Sequence, residues 1–66
     1  MTMDKETWLT RCAARYETRA GLHLKQAREL AEIALAEEIS AGRGLDADPE
    51  ASADADLECW ENDEAE

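Results

Sequence analysis

The fold is decided by residues 9–21, which read LTRCAARYETRAG. Apolar and small side chains recur there at positions i, i+3, i+4, i+7 and i+11, which places them on one face of an α-helix. Gly21 follows, and glycine commonly adopts the left-handed conformation that ends a helix. We therefore predict a first helix over residues 4–20, with Asp4 or Thr2 as its N-cap. The residues on its apolar face are Leu9, Cys12, Ala13, Tyr16 and Ala20.

Two more helices are predicted downstream of this segment. Residues 24–41 carry a broad alanine and leucine stripe, and His23 stands at the cap position of that second helix. The sequence Asp48-Pro49-Glu50 is typical of a helix start, because aspartate caps the first turn and proline fits its first position. The third helix is predicted to end at about Trp60.

The predicted fold class is all-α, a small bundle of three helices in which the third is short and acidic. Residues 1–45 are expected to form a charge-balanced two-helix hairpin. Residues 46–66 are expected to form an acidic helical segment packed on that hairpin, within a single domain.

Large apolar side chains are few, so the core must be small. Ile33 and Ile39 fall off the main stripe of the second helix, and they need another helix or a second copy of the chain to cover them. Trp8 either stacks under a nearby arginine or forms the edge of the core. The predicted core residues are Trp8, Leu9, Tyr16, Leu30, Leu35, Leu57 and Trp60.

Charge is distributed unevenly along the chain, whose formal net charge is −10. Residues 1–45 contain seven bases and seven acids, which cancel, whereas residues 46–66 contain ten acids and no base. The whole net charge therefore belongs to the last third of the sequence. This pattern favours either a solvated acidic tail or a surface for a basic partner.

Three arginines, Arg11, Arg15 and Arg19, follow one another at i, i+4 and i+8 on the first helix. We interpret them as a solvated face whose ion partners are Glu6, Glu17 or the acidic third segment. A nucleic-acid-binding stripe is the alternative, but a net charge of −10 repels phosphate.

No pattern of catalytic, cofactor-binding or metal-binding residues is recognisable. One histidine and two distant cysteines do not give the closely spaced ligand pairs of a zinc site, and no glycine-rich phosphate loop is present. We expect a non-enzymatic protein without a cofactor. Cys12 and Cys59 are expected to be reduced thiols, with a bridge between them as the alternative. The chain shows no signal peptide and no apolar run of about 18 residues, so we expect a cytoplasmic protein that binds no membrane.

The acidic segment offers carboxylates at i, i+4, i+8 and i+11 of a helix. Residues four apart lie about 6 Å apart along a helix axis, and phosphates advance about 3.4 Å per step along one DNA strand. The predicted partner is thus a basic nucleic-acid-binding protein rather than nucleic acid itself, bound by a monomer or weak homodimer. The predicted partner-binding residues are Asp46, Asp48, Glu50, Asp54, Asp56, Glu58 and Glu61.

Several short motifs resemble small open reading frames of bacteriophages and prophages: Trp8, Arg11-Cys12-Ala13-Ala14-Arg15, Arg19-Ala20-Gly21-Leu22, Asp48-Pro49-Glu50-Ala51 and Trp60. Proteins of that size and charge include anti-CRISPR proteins, some of which act as double-stranded DNA mimics on Cascade-type complexes. The resemblance implies an inhibitor of a type I CRISPR complex in the host bacterial cytoplasm. Its acidic third segment would occupy a Lys/Arg-lined groove of a Cas subunit. The sequence departs from the expected pattern at His23-Leu24, where a Thr-Pro-like cap is expected.

The alternative function is a non-enzymatic helical adaptor or structural dimer with an inert, solubilising acidic tail. Ile33 and Ile39 favour it. A third class, an antitoxin or DNA-binding regulator that uses the arginine stripe, fits the net charge poorly.

Overall fold

Three α-helices and one short 3-10 turn build the structure. The computed structural model describes the backbone of residues 3–64 and the side chains of residues 3–59. Within these residues there is no strand, so the predicted all-α class is confirmed. None of the helices described has the length and apolar content required to cross a membrane. The elements are α1 (Lys5–Ala20), α2 (Leu24–Ser40), the 3-10 turn (Gly44–Asp46) and α3 (Pro49–Glu64).

Both predicted ends of α1 are confirmed. The Asp4 carboxylate accepts a hydrogen bond from the Thr7 amide at 2.8 Å, which satisfies one of the free amides of the first turn. Gly21 has a φ of +68°, and its amide donates to the Glu17 carbonyl at 3.0 Å. The helix buries Trp8, Leu9, Cys12, Ala13 and Tyr16.

Helix α2 contributes mainly small side chains to the core. Its buried residues are Ala27, Ala31, Ala34 and Leu35, and Leu30 is half-buried against them. His23 stands at the predicted cap position, but its side chain makes no capping hydrogen bond. Leu24 was placed in the apolar stripe, and it is instead 64% exposed because its position in the first turn points away from α1 and α3.

Helix α3 begins as predicted and extends beyond its predicted end. The Asp48 carboxylate accepts from the Glu50 amide at 3.0 Å, and Pro49 occupies the first helical position. The helix continues to Glu64 rather than ending near Trp60. Glutamate is a good helix former, and no glycine or proline follows Trp60 to stop the helix.

Helices α1 and α3 run parallel, side by side. The Trp8 indole Nε1–H donates to the Ala47 carbonyl at 2.8 Å, and the contacts farther along both helices keep the same separation of 39 residues in sequence. A constant separation means that the two helices advance in the same direction. Because α1 contacts both α2 and α3, residues of all three helices share one core, to which α3 adds Ala53 and Leu57.

The end of α2 is tied to α3 by Glu38. The Glu38 side chain is only 13% exposed, and its carboxylate accepts from the Ser52 hydroxyl at 2.8 Å and from Arg43 Nε at 2.6 Å. Burial opposes ionisation, but these two hydrogen bonds outweigh it and lower the pKa of Glu38. Glu38 is withdrawn from water because α3 packs over this end of α2.

Candidate partner-binding surface

The arginine stripe of α1 lies against the acidic row of α3. Arg11 binds Glu50 through two hydrogen bonds of 3.0 and 3.2 Å, and Arg15 binds Asp54 in the same bidentate way at 2.9 and 3.1 Å. Arg19 Nη1 adds a third contact, to Asp54 Oδ1 at 3.0 Å. Of the ion partners considered for this stripe, the acidic third segment is therefore confirmed.

Glu6, another partner considered for the stripe, instead forms an ion pair with Arg28 of α2. Glu6 does not pair with the stripe because the stripe faces α3, whereas Glu6, in the first turn of α1, faces α2. Hydrogen bonds from Arg28, and its charge, hold the pKa of Glu6 below its usual value.

The ion pairs change the character of the predicted acidic row. Hydrogen bonds from Arg15 and Arg19 lower the pKa of Asp54, so this carboxylate stays ionised while two guanidinium groups balance its charge. Glu50 is balanced in the same manner by Arg11. These two residues therefore hold α3 against α1, and they present less negative charge to solvent than the sequence alone suggests.

Two more of the predicted partner-binding residues have structural contacts. The Tyr16 hydroxyl, on a fully buried side chain, donates to the Asp56 carboxylate at 2.8 Å. Burial and this carboxylate raise the pKa of Tyr16 well above its usual range, so the phenol remains protonated. Asp48 caps α3. Asp56 thus accepts the hydrogen bond of a buried hydroxyl, and Asp48 accepts the hydrogen bond of a backbone amide at the start of α3.

Three of the predicted partner-binding residues remain. Asp46 ends the 3-10 turn and is exposed, and Glu58 is exposed on α3. Glu61, like the predicted core residue Trp60, lies outside the described side chains. Among residues 46–59, Glu58 is thus the exposed acidic residue that forms no hydrogen bond or ion pair with the residues described.

The exposed side of α2, which we call the α2 surface, consists of Glu29, Glu32, Ile33, Ala36, Glu37, Ile39 and Ser40. Of these residues, the sequence assigned a binding role only to the two isoleucines. Its two isoleucines are 56% and 61% exposed, as expected from their positions off the stripe. Its three glutamates are exposed, and none forms a hydrogen bond or ion pair with the residues described. The signal in the sequence was the spacing of these acids around Ile33.

The two cysteines are both free, and they differ in environment. Cys12 is buried on α1, and Cys59 is exposed on α3. Burial raises the pKa of the Cys12 thiol to about 12, with smaller effects from nearby carboxylates. Cys12 is therefore a protonated core residue at neutral pH. In the part of the chain that is described, no three histidine, cysteine or acidic side chains converge on a point where a metal ion could bind.

Acid is expected to destabilise the protein through Asp54. Because the pKa of Asp54 in the folded state lies below its ordinary value of 3.8, its contribution to stability is present above that pH. The contribution is lost as pH falls through the lower, folded-state value. Thermal unfolding at pH 7, 5 and 3 measures this loss.

The matched variant for this measurement is Asp54→Asn, which cannot be protonated. It should be less stable than the parent at pH 7, and it should lose less stability between pH 5 and pH 3. Equal losses for both proteins would exclude Asp54 as a source of the acid sensitivity.

Comparison of the chain with protein families, with curated proteins and with solved structures finds no match.

Proposed function

We propose that this protein is a non-enzymatic inhibitor that binds a basic nucleic-acid-binding surface of another protein and competes there with nucleic acid. The acids of α3 and of the segment before it form the contact surface. The observation that supports the proposal is that residues 46–66, with ten acids and no base, are built largely into a helix anchored in the core. The first target we propose is the DNA-binding surface of a type I CRISPR complex in the bacterial cytoplasm.

Anchoring makes the acidic segment a defined surface. Ala53 and Leu57 are buried, and the bidentate pairs of Arg11 and Arg15 fix how α3 is rotated about its axis. The exposed Glu58, one turn beyond Asp54 on α3, consequently keeps a constant direction toward solvent. A surface that is ordered before binding avoids part of the entropy cost of association.

The acids that are free of internal contacts should contribute most to binding. Glu58 belongs to this group, whereas Glu50 and Asp54 already face guanidinium groups. Exposed ion pairs are screened by salt, so binding to a basic groove should weaken as ionic strength rises. Loss of inhibition between 50 and 200 mM salt is therefore expected.

The choice of variant follows from the contacts. Charge reversal at Asp54 would break two ion pairs and place a third base beside two arginines, so reduced inhibition would not distinguish binding from misfolding. Glu58→Gln combined with Glu61→Gln avoids these contacts and removes two negative charges. The control, Thr10→Lys with Gln26→Lys, changes net charge equally at two exposed positions, one on α1 and one on α2.

The experiment measures binding of double-stranded target DNA to a purified type I complex, by fluorescence anisotropy, with increasing inhibitor. The parent should raise the apparent Kd for DNA. The double Gln variant should need between about two- and tenfold more protein for the same effect, and the control variant should match the parent. If the parent does not inhibit DNA binding, the type I complex is not its target. If the control variant inhibits as weakly as the double Gln variant, the effect depends on net charge and not on a surface at Glu58 and Glu61.

A second function, that of a helical adaptor, is favoured by the exposure of Ile33 and Ile39. Large apolar side chains exposed close together are a common sign of a protein-binding surface. These residues lie on α2, so the two functions make different predictions for variants of α2 and α3.

A further inference from the structure

The α2 surface combines exposed apolar side chains with unpaired acids. Grooves lie on both sides of Ala36: one of about 280 Å³ is bordered by Leu35, Ile39 and Leu45, and the other, of about 540 Å³, by Ile33 and Ser40. Because Ala36 has a small side chain and stands between the two grooves, the backbone of another protein segment can approach α2 closely at this residue.

We infer that the α2 surface is a docking site for a basic amphipathic helix of another protein. This inference goes beyond the inhibitory function, because it concerns a different helix and requires no nucleic-acid-binding target, and it gives the helical adaptor named above a partner of defined chemistry. It commits to one kind of occupant, a helix with apolar side chains along one face and lysine or arginine on both sides of that face.

The spacing of the side chains favours a helix as the occupant. Ile33, Ala36, Glu37 and Ser40 stand at i, i+3, i+4 and i+7, which is the four-residue arrangement that accepts a side chain from a facing helix. The distance from Ile33 to Ile39 along the axis is about 9 Å, or roughly one and two-thirds helical turns. Apolar anchors at i, i+3 or i+4, and i+7 of a partner helix match that length.

The charge of the surface favours a basic occupant. Glu29, Glu32 and Glu37 surround Ile33 and form no hydrogen bond or salt bridge within the described residues, unlike Glu50 and Asp54 on α3. Glu32 does interact through its charge with Arg28, whose guanidinium is bonded to Glu6. Lysine or arginine beside the apolar anchors of a partner would meet these carboxylates.

Lys5, which borders the smaller groove together with Glu32, is the one cation that lines either groove. It marks the end of the site nearest α1. A partner's basic residues are therefore expected around Ile33 rather than at that end.

The same charges oppose a second copy of the chain as the occupant. Pairing of two α2 surfaces would bring three unpaired glutamates of one copy against the same three of the other, and each copy carries a net charge of −10. Like charges brought together across an interface are unfavourable. We therefore expect sedimentation velocity to show a monomer at the concentrations used for binding.

The probe is a synthetic 18-residue helical peptide with leucine at i, i+3, i+4 and i+7 positions and lysine elsewhere. Its binding to the full-length, isotope-labelled protein is followed by amide chemical shifts, and its Kd by fluorescence anisotropy. Shift changes should centre on Ile33, Ala36 and Ile39. A peptide of the same composition in scrambled order, and one with glutamate in place of lysine, should bind at least tenfold more weakly.

Variants separate the two features of the site. Ile33→Ser with Ile39→Ser should weaken peptide binding roughly tenfold or more, because apolar anchors at the centre of an interface carry much of its binding energy. Replacement of Glu29, Glu32 and Glu37 by glutamine should weaken binding and reduce its salt dependence. Both sets change exposed residues, so the fold should survive, which far-UV circular dichroism verifies.

Leu24→Ser is the matched control, since Leu24 lies on the same helix and is equally exposed but stands outside the α2 surface. It should bind the peptide like the parent. The inference is overturned if the double Ser variant also binds like the parent, if the shift changes lie on α3, or if the parent is a dimer through α2. Because α3 is unchanged in all of these variants, the outcome is independent of the nucleic-acid competition test.

Discussion

Replacement of Trp8 by alanine is expected to leave the chain largely unfolded at 25 °C. The Trp8 side chain is fully buried, and its indole N–H donates to the Ala47 carbonyl, so it joins α1 to the segment that precedes α3. Truncating a buried tryptophan to alanine costs about 3–5 kcal/mol. At about 0.05–0.15 kcal/mol per residue, a domain of this size has only roughly 3–10 kcal/mol of stability to lose.

Urea unfolding followed by far-UV circular dichroism measures this loss. Trp8→Phe should be intermediate, since it keeps most of the apolar volume but leaves the Ala47 carbonyl without its donor, at a cost of about 1–3 kcal/mol. Leu24→Ala, at an exposed position, should stay within about 0.5 kcal/mol of the parent. A Trp8→Ala protein as stable as the Leu24→Ala protein would show that Trp8 is not central to the core.

The features that the sequence predicted well are local. The apolar spacing on α1, the Asp4 cap, the Gly21 stop and the Asp48-Pro49 start each depend on residues within one or two helical turns. Such signals are read directly from the chain, because the physical interaction that produces them also lies within a few residues.

The features that were missed or left open depend on residues far apart in sequence. Arg11 and Arg15 have many possible ion partners in the sequence, which contains seven acids in the first 45 residues and ten beyond them. The parallel arrangement of α1 and α3 is what selects Glu50 and Asp54. The partial burial of Glu38 could not be predicted for the same reason, since the neighbour that it contacts is Ser52 on another helix. The predicted acidic surface is therefore reduced at the positions where charge pairs across helices.

The apolar pattern was also less decisive at the end of a helix than in its middle. Helix α2 buries Ala27, Ala31 and Ala34 as predicted, whereas Leu24, in its first turn, shares the composition of the stripe and is exposed. The pattern shows which face a residue occupies, and the packing of the neighbouring helices decides whether that residue is covered.

Removal of residues 46–66 is expected to abolish folding and not simply to remove a tail. The truncated chain would lose Ala53 and Leu57 from the core and the acceptor of the Trp8 hydrogen bond, and it would expose one side of both Trp8 and Tyr16. A chain of 45 residues is close to the lower limit of about 40 at which domains fold without disulfides, metals or partners. Neither cysteine is in a disulfide.

A chain that stops after Trp60 is the matched control, because it removes four acids but retains Ala47, Ala53 and Leu57. Circular dichroism should show a cooperative thermal transition for this control and for the full chain, and none for residues 1–45. Cooperative unfolding of residues 1–45 would mean that the hairpin is a domain on its own and the acidic segment an appendage. If residues 1–45 are unfolded, a loss of inhibition after deletion of residues 46–66 reports loss of the fold and gives no information about charge. The partner-binding surface must then be tested with Glu58→Gln and Glu61→Gln.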